Sequence, residues 1–169
     1  MKTSGTTEIA TLAGGCFWGM EELVRKLPGV KGTTVGYTGG STSGPSYETV
    51  KTGSTGHAES LQIEFDPQQL SYEKLLLFFF KIHDPTTPNR QGNDIGSQYR
   101  SAIFFHSPEQ KKIAETVKAR VEASGKWKRL VVTEIVAASP FYPAEIYHQK
   151  YLQKNPGGYT CHYVRNYDF

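Results

Sequence analysis

Cysteine is nearly absent from this chain. Cys16 and Cys161 are the only two in 169 residues, which excludes a CxxC motif and a dense disulfide framework. A bond between them in a reducing compartment would be transient and catalytic rather than structural. An excess of one charge is missing too. Nineteen Lys and Arg stand against sixteen Asp and Glu, a formal charge of +3, and the basic residues are scattered apart from KWKR at 126–129. So weak a field argues against a nucleic-acid partner. No apolar run approaches a bilayer span, the longest being LLLFFF at 75–80, and the opening MKTSGTTE lacks a signal-peptide core. The expectation is a soluble, cytoplasmic protein with no membrane partner. The five histidines, at 57, 83, 106, 148 and 162, lack zinc-ligand spacing, and TGG and GSTG lack the context of a phosphate loop. Neither a metal nor another cofactor is expected.

The length suits one domain, 1–169, with enough interior for a core without staples. EIATLA at 8–13 reads as a strand running into Gly14-Gly15. A helix then starts near Cys16, with Phe17, Met20, Val24 and Leu27 on one stripe and Pro28-Gly29 as its stop. A strand at 30–37 precedes the loop TGGSTSGPS and a helical turn at 47–51. In HAESLQIEF, 57–65, Leu61, Ile63 and Phe65 share a face with His57 and Glu59, which puts Glu59 on the core side. An apolar helix follows Ser71, and the loop TTPNRQGNDIGSQYR leads to the strand SAIFFH. A loop of that length usually carries function. Ser107-Pro108-Glu109-Gln110 opens another helix as a capping box, LVVTEIVAA is the last clear strand, and AEIYHQKYLQK is a last helix stopped by NPGG. Residues 153–169 are expected as a flexible C-terminal tail carrying Cys161. This order predicts an α+β fold, a two-layer sandwich with a mixed sheet, related to the ferredoxin-like split βαβ arrangement.

Cys16 at a helix start is compatible with two states. It is a buried, inert thiol, or it is a nucleophile favoured by the free N–H groups and positive dipole end of the helix, with glycines that let another molecule approach. Phe17 fits the core stripe, whereas Trp18 lies off the Met20 and Val24 face and suits a pocket for a small apolar group. Glu59 is either a strand-end carboxylate that bends to solvent, or a desolvated acid protonated near neutrality. Tyr47 and Tyr99 follow glycine-containing loops, where side chains converge on sites. Asp94, in GNDIGS, reads equally as a turn residue. Cys161 is an incidental thiol or one able to swing towards another sulfur.

Six ordered stretches agree on one resemblance. GCFWG at 15–19, GYTGG at 36–40, SYETVKTGSTGHAE at 46–59, HDPTTPNRQGNDIGSQYRS at 83–101, YHQKYL at 147–152 and NPGGYTC at 155–161 resemble the peptide methionine sulfoxide reductase A family, over nearly the whole chain from about Glu8 to Val164. The resemblance implies reduction of the S epimer of methionine sulfoxide, free or in proteins, with thioredoxin as reductant. It also implies roles. Cys16 attacks the sulfoxide sulfur, Phe17 and Trp18 hold the methyl group, Glu59 protonates the oxygen, Tyr47 and Tyr99 hydrogen-bond it, and Asp94 orients the polar end through water. Cys161 then resolves the Cys16 sulfenic acid into a 16–161 disulfide. A sulfoxide oxygen is a poor leaving group, so a neutral acid beside a sulfur nucleophile makes physical sense of the pairing. A monomer is expected.

Two rivals remain at this level. A cysteine hydrolase would place a histidine such as His148 beside Cys16. A peptide-binding module would use Phe17 and Trp18 as a pocket and leave Cys161 without a purpose.

Overall fold

The computed structural model describes residues 7–169. In chain order the elements are β1 (Glu8–Gly14), α1 (Phe17–Val24), β2 (Val30–Thr38), α2 (Tyr47–Val50), β3 (Ala58–Phe65), α3 (Tyr72–Ile82), β4 (Arg90–Gln91), β5 (Asp94–Ile95), β6 (Ser101–Phe105), α4 (Pro108–Ala123), β7 (Glu134–Ala137), β8 (Tyr142–Pro143) and α5 (Tyr151–Lys154). Single 3-10 turns cover Ser97–Tyr99 and Ile146–His148.

Six strands form one sheet in the order β7-β6-β1-β3-β2-β8, while β4 and β5 make a separate hairpin. The sheet is mixed: β6 pairs with β7 in parallel, and every other pairing is antiparallel. Register follows from side-chain alternation. Leu12 lies between Leu61 and Ile103, Ala10 faces Ile63, and Val35 faces Leu61. These apolar side chains form one core with Met20 and Val24 of α1, Leu75, Leu76 and Phe79 of α3, and Ala114, Val117 and Val121 of α4. The residues between them along the strands, Ala13, Ala58, Ala102 and Phe104, build a smaller cluster on the other face. A one-residue slip would exchange the two faces, so the pattern holds the register firmly. The result is an α+β protein with helices packed on a mixed sheet.

Caps behave as the sequence predicts, with one change. Ser107 accepts from the Gln110 amide at 3.1 Å, but the Gln110 side chain reaches past Ser107 to the His106 amide at 2.9 Å and donates to the Ile9 carbonyl at 2.8 Å. The cap therefore also fastens α4 to β1.

Three sequence expectations need correction. The long loop before β6 holds the β4-β5 hairpin and a 3-10 turn. LVVTEIVAA contributes only the four residues of β7, an exposed edge with the burial of no more than one face. The segment AEIYHQKYLQK is not one helix. It breaks at Lys150, whose φ is +56°. Tertiary contacts impose that break: the Lys150 amide donates to Glu21 Oε1 at 2.7 Å, its Nζ lies 3.1 Å from Glu21 Oε2, and the Gln149 amide group bridges Val35 N–H and C=O at 2.9 Å each. A buried carboxylate and a strand edge each need partners, and satisfying them outweighs helical propensity. The break leaves His148 before the kink and Tyr151 after it, both packed on Trp18.

Candidate active site

Cys16 is the N-cap residue of α1, reached from β1 through Gly14 and Gly15. Gly15 has φ +96°, and a Cβ there would lie 2.5 Å from Gln91 Cγ, so this turn requires glycine. The thiol is 8% exposed and free. Burial pushes its pKa well above the ordinary value and the Glu59 carboxylate adds to this, while the Trp18 amide works the other way. The helix end alone therefore does not make a thiolate here. Desolvation wins, and the resting sulfur is a thiol.

Glu59 lies on β3, opposite Tyr37 of β2, at the end of the face that carries Leu61, Ile63 and Phe65. Only 2% of it is exposed. Its Oε1 accepts from the Phe17 N–H at 3.2 Å, the amide that follows Cys16. Burial raises its pKa to about 8, against the opposing effect of that amide. Glu59 is therefore mostly protonated at neutral pH, and in that form it no longer repels an anionic sulfur. With Oε1 engaged, the proton belongs on Oε2, which has no hydrogen-bond partner among the described residues.

Phe17 is buried against Tyr37 and His148, with ring centroids 5.7 and 5.3 Å away. Trp18 is partly exposed. Its indole stacks on Tyr151 at 3.8 Å between centroids and donates from Nε1 to His148 Nδ1 at 3.0 Å. His148 also packs on Tyr47, at 4.6 Å. Glu145 anchors this wall, accepting from the Tyr37 hydroxyl at 2.9 Å and the Tyr47 amide at 3.0 Å.

The tyrosine hydroxyls share the field of the two acidic groups. Tyr47 is raised by burial, then by Glu59 and Cys16. Tyr99, at the end of its 3-10 turn, is raised by burial, then by Glu59 and Asp94. Both stay protonated and able to donate. Asp94, on β5, accepts from Tyr159 at 3.2 Å, and burial lifts its carboxyl despite that bond.

Residues 155–169 contain neither helix nor strand. They lie along the body, held by His162 Nε2 to the Gly14 carbonyl at 2.7 Å, Arg165 N–H to the Lys81 carbonyl at 3.0 Å, and Arg120 to the Phe169 carbonyl at 2.6 Å. Cys161 is half-buried, with Sγ 4.0 Å from both Asp94 Oδ2 and the Gln91 carbonyl.

All eight residues singled out from sequence thus gather around the end of β1 and the start of α1. The sequence reading missed Glu21, Glu145 and Gln91, which hold the site from behind, and it set His162 aside with the other histidines. For His162 a signal existed in its adjacency to Cys161; the others have none without the fold. His148 is engaged by the Trp18 indole, and the groups acting most strongly on the Cys16 thiol are Glu59, the Trp18 amide, Asp94 and Cys161. That arrangement does not favour a cysteine hydrolase. Two clefts lie away from this site, one of about 630 Å³ between α4 and β7 and one of about 520 Å³ beside the starts of β1 and α4.

The model of the peptide methionine sulfoxide reductase family matches residues 8–168. A peptide methionine sulfoxide reductase MsrA from Streptomyces coelicolor is 57% identical over 159 residues, which are 94% of this chain and 90% of that protein. Among solved structures, Mxr1 from Saccharomyces cerevisiae in reduced form has a TM-score of 0.88 at 43% identity, covering 95% of this chain and 93% of that one. Mxr1 in complex with Trx2 has a TM-score of 0.64 at 28% identity, covering 98% and 96%. With a family model spanning nearly every described residue and a relative this similar over nine-tenths or more of each chain, the chain belongs to the peptide methionine sulfoxide reductase family.

Proposed function

We propose that this protein reduces the S epimer of methionine sulfoxide, free or in proteins, to methionine, through a Cys16 sulfenic acid and a 16–161 disulfide that thioredoxin reduces. One observation carries the reading: the amide next to Cys16 holds the buried carboxyl of Glu59, whose pKa burial raises to about 8. The two needs of the reaction, a sulfur nucleophile and a proton for a poor leaving group, meet within one residue of backbone.

The sulfoxide oxygen is received by Glu59 Oε2 and the hydroxyls of Tyr47 and Tyr99, which stabilise charge as it develops there. The methyl group rests against Phe17 and Trp18, and Asp94 orders the polar side through water. Bringing the polarised substrate in favours loss of the Cys16 proton, since a neutral Glu59 and donating hydroxyls face the sulfur. The Cys16 sulfur bonds to the sulfoxide sulfur, the S–O bond breaks, and the oxygen leaves as water with two protons, one released by the Cys16 thiol and one given by Glu59. A water returned to the Cys16 sulfur frees the thioether and gives its proton to Glu59. The net change is sulfoxide plus thiol to thioether plus sulfenic acid. Cys161 then displaces the sulfenic hydroxyl, and a thioredoxin dithiol exchanges with the disulfide directly. The Mxr1–Trx2 complex supports that last partner.

In this reading residues 1–169 form a single catalytic domain, with 153–169 as the movable tail. The contacts of Cys161 at about 4 Å and the lack of regular structure beyond residue 155 support movement there. A ferredoxin-like core is supported by the β6-β1-β3-β2 order, with α1 between β1 and β2 and α3 between β3 and β6. A monomer in the cytoplasm, where thioredoxin keeps dithiols reduced, completes the proposal; no described helix is long and apolar enough to cross a membrane.

The test is incubation of the protein and dithiothreitol with both epimers of a blocked methionine sulfoxide, followed by chiral separation. Consumption of the S epimer alone is expected. Survival of both epimers would overturn the reading.

A further inference from the structure

We propose that His162 is the base of the resolving step, its Nδ1 taking the proton from Cys161 as that sulfur attacks the oxidised Cys16. The inference rests on the sulfenic acid chemistry proposed above and adds a group to it.

The argument begins with a tautomer. His162 is 7% exposed, and its Nε2 lies 2.7 Å from the Gly14 carbonyl oxygen. A carbonyl only accepts, so Nε2 carries the hydrogen, and a neutral imidazole then presents a lone pair at Nδ1. That Nδ1 is 3.9 Å from Cys161 Sγ, within the range over which a thiol donates. The carbonyl that sets the tautomer belongs to Gly14, two residues before the sulfur under attack. Gly19, one turn into α1, makes the arrangement sterically possible, because a Cβ there would run into His162 Nδ1 and Thr160 Oγ1. Gly15 does the same on the other side, where a Cβ would come 3.3 Å from Nε2.

Cys161 needs such help. Burial holds its thiol above the ordinary value, with the Tyr159 hydroxyl opposing that shift. Three other groups face the same sulfur: the Gln91 carbonyl, which is no base, the Tyr159 hydroxyl, which is a donor, and Asp94, whose Oδ2 is 4.0 Å away and is shared with the Tyr159 hydroxyl at 3.2 Å. Arg165 favours the anion from further along the tail. Burial lowers the His162 pKa to about 4, so the imidazole is neutral and accepting throughout the physiological range. For the same reason it does not retain the proton. The Cys161 S–H bond breaks as the S–S bond forms, the S–O bond of the sulfenic acid breaks, and the proton passes through His162 to the departing hydroxide as water. The oxidation held by Cys16 becomes the disulfide, and no further oxidant is required.

The test uses the reduced full-length protein mixed with methionine sulfoxide and no reductant, in rapid-quench mode. Methionine release and disulfide formation are followed separately, the second by alkylation and mass. Two variants divide the possibilities. His162→Gln keeps an N–H that reaches the Gly14 carbonyl but has no ring base; His162→Asn places a weakly accepting oxygen near the Nδ1 position and gives up the tether. The proposal expects disulfide formation to lag methionine release by about 10²–10⁴-fold more than in wild type in both variants. In both, that rate should also climb with pH as unaided Cys161 ionises. Wild-type disulfide formation in His162→Gln would overturn it, whether or not His162→Asn is slow, since the tether alone would then suffice. Absence of methionine release from the wild-type protein would overturn the reductase reading itself. Sulfenic acid generated at Cys16 with hydrogen peroxide allows the His162 comparison to be repeated without sulfoxide, so the two failures are distinguishable.

Discussion

The two sulfurs of this molecule are held in contrasting ways. Cys16 lies where a central strand turns into a helix, and the buried carboxyl of Glu59 is placed by the register of β3 against β1 and β2. Cys161 lies in a segment without repeating backbone hydrogen bonds, positioned by a histidine, a tyrosine and an aspartate at 2.7 to 4.0 Å. The first site is built into the sheet. The second is held by a few side-chain contacts and no strand or helix. Burial raises both thiols, so neither sulfur is stored as an anion.

Substitutions that strike one sulfur and spare the other sharpen this comparison. The largest effect is expected from Cys161→Ser assayed with thioredoxin, which should release one equivalent of methionine per protein and then stop. Sustained cycling at the wild-type rate would show a route to reduction that bypasses the tail. Next is Glu59→Gln, for which the rate of the first methionine release should fall by about 10²–10⁴-fold while Cys16 remains open to alkylation. In wild type that rate should decline as pH rises through about 8, where Glu59 loses its proton, and the variant should lack this limb. Equal rates in the two proteins would remove Glu59 from the mechanism.

Gly19→Ala separates helix from tail. Alanine favours a helix interior by about 1 kcal/mol over glycine, yet its methyl would collide with His162 and Thr160. Disulfide formation should slow by roughly an order of magnitude, as expected for a displaced reacting group, with little change in melting temperature. An unaltered disulfide rate would mean that the tail approaches by another path.

The smallest effect concerns stability. The folded-state pKa of Glu59, about 8, exceeds its unfolded value of 4.5. The unfolded chain therefore releases this proton first, and stability present below pH 4.5 drains away as pH rises to about 8. The loss is bounded at a few kcal/mol, each pKa unit being worth about 1.4 kcal/mol. Glu59→Gln should then melt at a higher temperature than wild type at pH 8, with the gap closing towards pH 5. A gap independent of pH would indicate that the carboxyl is solvated in the folded protein.

Much of this was legible in the chain because it depends on short-range periodicity. Alternation in HAESLQIEF put Glu59 on the inner face, and the spacing of Phe17, Met20 and Val24 put Cys16 at a helix start; both hold in the fold. The last helix was misread because its break is imposed by Glu21 and Val35, residues more than a hundred positions away. The state of the Cys16 thiol was also beyond local reading. A helix end argues for an anion, and only the enclosing side chains reveal that desolvation prevails.

By itself, then, the amino-acid order determined the family, the strand-turn-helix that carries Cys16, and which side chains face inward, since these follow from steric periodicities spanning a few residues. Tertiary structure alone decided that burial raises the Glu59 pKa to about 8, that the indole of Trp18 is clamped between His148 and Tyr151, and that His162 turns Nδ1 towards Cys161. Protonation and tautomer depend on what surrounds a group in space, and groups far apart in the chain supply those surroundings.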